Sequence, residues 1–181
     1  MLRTLVLIAG CMMAAPVVHA VDSIAFELGA SDSGNASVDI ARVGLQWNWA
    51  TPVVSGTDWQ VGGYWDLSFG HWSNDSPGRT NSSLSDIGIT PVLRFQQTHP
   101  GALAPYLEVA MGAHVLSETS VSAERRFGSS FQFGSHLGAG LRFGPRRAFD
   151  LSYRYQHLSN AGIKDPNQGI NFHLLRFQYH F

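Results

Sequence analysis

The stretch TDWQVGGYWDLSFGH, residues 57–71, alternates along most of its length. Successive side chains of a strand point to opposite faces. Trp59, Val61, Trp65, Leu67 and Phe69 therefore share one face, opposite Gln60, Tyr64, Asp66 and Ser68. One face is large and apolar and the other is polar. That is the pattern of a strand with two different solvents.

The same reading extends along the chain. Eight alternating runs are expected at residues 23–31, 38–49, 57–71, 83–97, 104–117, 130–143, 147–157 and 170–181. In the second, Val43, Leu45, Trp47 and Trp49 oppose Arg42, Gly44, Gln46 and Asn48. In the sixth, Phe131, Phe133, Leu137 and Leu141 oppose Gln132, His136 and Arg142. In the last, Leu175, Phe177, Tyr179 and Phe181 oppose Arg176, Gln178 and His180. Connections alternate between short ones at 50–56, 98–103 and 144–146 and mostly longer, polar ones at 32–37, 72–82, 118–129 and 158–169.

A soluble sandwich buries its apolar faces against each other. A small membrane barrel turns them toward lipid and fills its interior with polar groups. Alternating loop lengths, an even number of runs and an aromatic C-terminus favour the barrel. The fold class read from the sequence is all-β, an eight-stranded antiparallel transmembrane β-barrel of the outer membrane. Both chain ends and the short turns then face the periplasm. A barrel of this size has no pore, because side chains fill it. Glu27, Arg42, Asp66, Asp86, Arg94, Glu108, Arg142, Asp150, Arg154 and Arg176 fall on the inner face and read as a paired network, joined by His114 and His136. Pro91 lies mid-run, where a missing N–H predicts a bulge or a local distortion.

Residues 1–20 read as a secretory signal peptide: Arg3, then a mostly apolar run, then Val18-His19-Ala20 as the cleavage site. The stretch Ile8-Ala9-Gly10-Cys11 resembles a lipobox, but cutting there leaves too short a leader. Residues 21–181 are then a single barrel domain without cysteine, which excludes disulfides and thiol catalysis. A formal net charge of −1 gives no reason to expect a nucleic-acid partner. No spacing of His, Asp or Glu makes a convincing metal site.

Chemistry, if present, sits at the strand ends. In the seventh run Phe149, Leu151, Tyr153 and Tyr155 face outward, and His157 and Ser159 continue that face. Asn171 and His173 continue the outer face of the eighth. A neutral histidine can take the proton of a serine hydroxyl and make it nucleophilic toward an ester carbonyl. Yet His71-Trp72-Ser73 has the same spacing and parity, so H-x-S alone decides nothing.

The longer stretch Tyr155-Gln156-His157-Leu158-Ser159-Asn160-Ala161-Gly162-Ile163-Lys164, followed by Pro166, Asn167, Gly169 and Ile170, resembles the active-site region of the PagL family of lipid A 3-O-deacylases. The resemblance implies an outer-membrane serine esterase that hydrolyses the ester-linked 3-hydroxyacyl chain at position 3 of lipid A. By that resemblance Ser159 is the nucleophile and His157 the general base. Asn160 and Asn167 support the site or its oxyanion hole, and no metal or organic cofactor is needed. The partner implied is lipid A in lipopolysaccharide, with a homodimer left open. One residue departs from the pattern. The family's triad glutamate falls at Asn171, which can orient an imidazole but carries no charge. Three readings follow: asparagine serves as third member, another acid such as Asp165 replaces it, or turnover is lost. The last makes the chain a non-catalytic lipopolysaccharide binder or adhesin. A phospholipid esterase is a further alternative.

Overall fold

The computed structural model describes residues 20–34 and 36–181. The expected leader therefore lies outside the described residues, apart from Ala20. Eight long strands follow one another: β1 Ser23–Ser31, β2 Val38–Asn48, β3 Trp59–Asn74, β4 Ser83–Gln97, β5 Ala104–Leu116, β6 Phe131–Phe143, β7 Phe149–Ser159 and β8 Ile170–His180. Each pairs antiparallel with the next, and β1 pairs with β8, so the sheet closes on itself. A two-residue ribbon, Val54–Ser55, adds to the start of β3 within the first short turn.

The expected runs match these strands to within a few residues, with two informative extensions. β3 continues to Asn74 and β7 to Ser159. Both run on because their inward residues meet an apolar plug. Trp72 and Leu158 are fully buried there with Val38, Ile40, Leu84, Leu116, Val121, Phe127, Ile170, Phe172 and Leu174. The interior is thus not polar throughout, as the alternation suggested. Its long-loop half is a hydrophobic core, covered by Val121 and Phe127 from the β5–β6 loop.

The remaining interior is the charged network that the parity of the strands placed there, except that Arg142 forms no ion pair among the described residues and donates to Arg147 O instead. Arg154 donates from Nε to Glu108 Oε1 (2.7 Å), from Nη1 to Glu27 Oε1 (2.7 Å) and from Nη2 to the Tyr64 hydroxyl (2.7 Å). Arg176 bridges Glu27 and Asp66. Arg42 bridges Glu27 and Asp86, and Arg94 bridges Glu108 and Asp150 with its guanidinium 3.8 Å from the Tyr106 ring centre. His114 bonds Asp86 at 2.8 Å and His136 approaches Glu108 at 3.6 Å. These opposite charges are sealed from water, where an unpaired charge costs several kcal/mol.

The outer wall is the reverse. Phe26, Val43, Trp65, Phe69, Ile87, Ile89, Val109, Met111, Leu137, Leu175 and Phe177 all stand exposed. Aromatics gather at the short-turn end: Trp59 stacks on Phe95 (4.8 Å), and Phe149 lies between Phe143, Phe177 and Tyr179. An apolar belt bordered by aromatics fits a bilayer and no aqueous solvent.

Pro91 produces no bulge. The β4–β5 register is the same on both sides of it, Ile89 opposite Ala113 and Val92 opposite Ala110, and pairing lapses at Thr90 and Pro91 alone. Gly112 makes the lapse tolerable, since a side chain there would collide with the Ile89 carbonyl and Thr90. The ladder loses a rung and keeps its count.

Replacing Arg154 by Met leaves Glu27 and Glu108 short of a cation inside a dry barrel. The expected loss of stability is about 3–5 kcal/mol, seen as a lower urea midpoint for unfolding in micelles. An unchanged midpoint would show that the network contributes little.

Candidate active site

His157 and Ser159 occupy the last turn of alternation on β7, and Asn171 the second position of β8. The register pairs His157 directly with Asn171. Their side chains meet on the outer wall, His157 Nδ1 lying 2.6 Å from Asn171 Oδ1. An amide oxygen can only accept, so Nδ1 carries the proton and Nε2 keeps its lone pair in the neutral ring. That is the tautomer a general base requires. Ser159, on the same face, shares no hydrogen bond with His157 among the described residues. Same-face residues lie about 6.6 Å apart along a strand, and such contacts tighten when substrate binds.

The loop of residues 160–169 is organised by Asn160. Its Nδ2 donates to Lys164 O (2.6 Å), its Oδ1 accepts from Gly162 N (2.9 Å), and its own N–H donates to Asn167 Oδ1 (2.9 Å). Asn160 is fully buried. It shapes the turn, with one of its two amide hydrogens committed to Lys164 O. Asn167 is half-buried, and its amide nitrogen has no partner among the described residues.

Two loops from elsewhere lock this corner. Arg125, on the β5–β6 loop, donates to the carbonyls of Gly169 and, at 2.6 Å, of Ser33 on the β1–β2 loop. Burial lowers its pKa from the ordinary value. Ser33 Oγ accepts from Asn171 N at 2.7 Å. Gly169 adopts φ +61°, and an added Cβ would stand 2.9 Å from His157 Cε1 and 3.1 Å from Leu158 O. Arg125 therefore ties together two segments that flank the His157–Asn171 pair: Gly169, which lies against the His157 ring, and Ser33, whose hydroxyl holds Asn171 N. Nothing in the sequence marks Arg125 or Ser33, because their contact with the site exists only after the loops fold over the barrel end.

The remaining candidates separate cleanly. Asp165 is exposed and makes no bond to His157 among the described residues. Glu108 is buried in the interior network. His173 packs on the outer wall, its Nε2 2.8 Å from Asp32 Oδ2 and its Nδ1 2.5 Å from the Tyr153 hydroxyl. The second H-x-S also reaches the outer wall, beside a groove of about 310 Å³ lined by Leu28, Ala41 and Asp39 among others. Opposite His71, however, stand Ala41 and Ser85, and no acceptor orients its ring among the described residues.

So continuous an apolar belt around a filled interior belongs in a bilayer, and the protein is an integral β-barrel of the outer membrane with a histidine–serine pair on its lipid-facing wall. Comparison with known proteins makes this more specific. Residues 39–180 match the family described as lipid A 3-O-deacylase (PagL). A Lipid A deacylase PagL of Pseudomonas aeruginosa is 31% identical over 137 residues, 76% of this chain and 75% of the relative. The protein of the same description from Bordetella bronchiseptica is 35% identical over 143 residues, covering 74% of each chain. The crystal structure of the outer membrane enzyme PagL superposes with a TM-score of 0.76 at 27% identity, over 88% of this chain and 99% of that one. Neisserial surface protein A (TM-score 0.50, 14% identity, 88% and 94% covered) shares the fold alone. The chain belongs to the lipid A 3-O-deacylase family.

Gly169→Ala places a methyl group against the imidazole and an L-residue at positive φ, the latter costing about 1–2 kcal/mol. Ester turnover per folded barrel is expected to fall well beyond what that loss of stability explains. Wild-type turnover in the folded fraction would show that the ring has room to move.

Proposed function

We propose that Ser159 is the nucleophile and His157 the general base for hydrolysis of the ester at position 3 of lipid A, the reaction of the family. The observation that carries this is the 2.6 Å bond from His157 Nδ1 to Asn171 Oδ1, which leaves Nε2 as the basic nitrogen of a ring on the same face as Ser159. Nε2 takes the Oγ proton as Oγ attacks the ester carbonyl. The C–O bond to the sugar then breaks, and the proton on Nε2 passes to the departing 3-oxygen. Water, deprotonated by the same nitrogen, releases the 3-hydroxy fatty acid and restores Ser159. The Asn167 amide nitrogen is a supporting group available to donate to the oxyanion, a contribution that reaches 10²–10³-fold where such donors have been removed in other enzymes.

The location supports the same reading. Among the described residues, the ionic network and the apolar plug fill the interior. A substrate with its sugar at the surface and its acyl chains in the bilayer meets the wall sideways, with its ester at the boundary between them. His157 and Ser159 lie at the strand ends, above the apolar belt, at the level such an ester occupies in the outer leaflet.

Lipid A from cells producing the protein is expected to lose one 3-hydroxyacyl group by mass spectrometry. Ser159→Ala and His157→Ala should each reduce that loss by about 10³-fold or more. Lipopolysaccharide binding without release would instead make the chain a non-catalytic barrel. Release of fatty acid lacking the 3-hydroxyl would make it a phospholipid esterase.

A further inference from the structure

Among the described residues, no carboxylate bonds the histidine of the catalytic pair proposed above. Asn171 orients the ring but cannot offset the imidazolium that forms when Oγ loses its proton. The register supplies a carboxylate one strand further on. β1 pairs Ser31 with Phe172, and the next residue, Asp32, donates its N–H to Asn171 O at 3.1 Å. His157 on β7, Asn171 on β8 and Asp32, the residue just past β1, therefore form one row across the wall, all with outward parity.

We propose that Asp32 supplies the negative charge that Asn171 lacks, acting on His157 across the Asn171 amide as an electrostatic positioning residue. One group touches its carboxylate, and two more hold that group in place. His173 Nε2 holds Oδ2 at 2.8 Å, and the Tyr153 hydroxyl holds the other ring nitrogen of His173 at 2.5 Å. Tyr155 packs its ring 5.1 Å from the same imidazole. Behind the row, Arg125 anchors Ser33 and Ser33 anchors Asn171, so Asp32 cannot drift independently of the site. Neighbouring strands lie about 4.8 Å apart, which puts Asp32 roughly 10 Å from His157. Lipid on one side leaves that attraction less screened than in bulk water. Asp165, in the same loop as the site, has no such fixed relation to the histidine.

The inference rests on the serine-esterase reading, so the test separates the two. Lipid A turnover and the rate at which a fluorophosphonate labels Ser159 are measured for wild type, Asp32→Asn, Asn171→Glu and the double variant, all refolded and normalised to heat-modifiable barrel. Asp32→Asn is expected to slow both readouts on the order of tenfold in the wild-type background, with KM little changed. Through-space attractions add, so in the Asn171→Glu background the same change is expected to cost a similar factor, and in both backgrounds that cost is expected to shrink as salt is raised. A loss that salt does not change would assign Asp32 a purely structural role, and no loss in wild type would remove it from the site; either overturns the proposal. Asp32-dependent labelling without lipid A turnover would overturn the substrate and retain Asp32. Absence of labelling in wild type would overturn both.

Discussion

Everything in this barrel follows from the pairing of charges inside it. Glu27, Asp66, Asp86, Glu108 and Asp150 face Arg42, Arg94, Arg154 and Arg176 in a space closed to water. The ions pair with each other although some of their atoms, Asp66 Oδ1 and Arg176 Nε among them, lack a hydrogen-bond partner among the described residues, and the lumen is a packed core. The apolar side chains that a soluble protein would bury are displaced to the outside. Once the interior is full and the exterior greasy, any group that meets a substrate has to do so from the wall or from the rim.

The rim is where this protein departs from a plain barrel. Above the ionic layer the lumen turns apolar, and Trp72, Leu158, Ile170 and Phe172 form a plug under the long loops. That plug keeps β3 and β7 regular to their last residues and so holds Ser159 within a strand. Loops landing on the plug bring Arg125 and Ser33 against Gly169 and Asn171. Packing within the lumen and hydrogen bonds on top of it together fix a histidine that itself faces outward.

The sequence disclosed the strands, their faces and the ionic interior because each is a consequence of period-two alternation, which is local. Arg176 and Glu27 both show inward parity from their own runs, whatever they pair with. The apolar plug was less legible. Leu174, Phe172 and Ile170 continue the inward parity of Arg176, but alternation says where a side chain points and not what fills the space there. His157, Ser159 and Asn171 were found by parity together with resemblance, and the register brings His157 and Asn171 together. Asn160 reads from the resemblance as a supporting or oxyanion group, and its hydrogen bonds tie it into the site loop. Arg125 and Asp32 were invisible for one reason: each reaches the site through a contact between residues far apart in the chain, and no spacing encodes that.

The second H-x-S shows why geometry has to decide. A strand emerging from a bilayer needs polar side chains on its outer face wherever that face reaches the headgroups, because an unpaired polar group deeper in hydrocarbon costs free energy. Asp39, Ser73, His71 and Ser85 satisfy that demand around one part of the rim, as His157, Asn171 and Asp32 do around another. Histidine and serine at the end of a barrel strand are therefore expected from solvation alone. What solvation does not require is a partner at hydrogen-bond distance that sets a tautomer. His157 has one in Asn171, held from behind by Ser33 and Arg125, whereas across from His71 stand an alanine and a serine. The difference between a solvated rim and a poised base lies in that single cross-strand pair and in the loops that immobilise it.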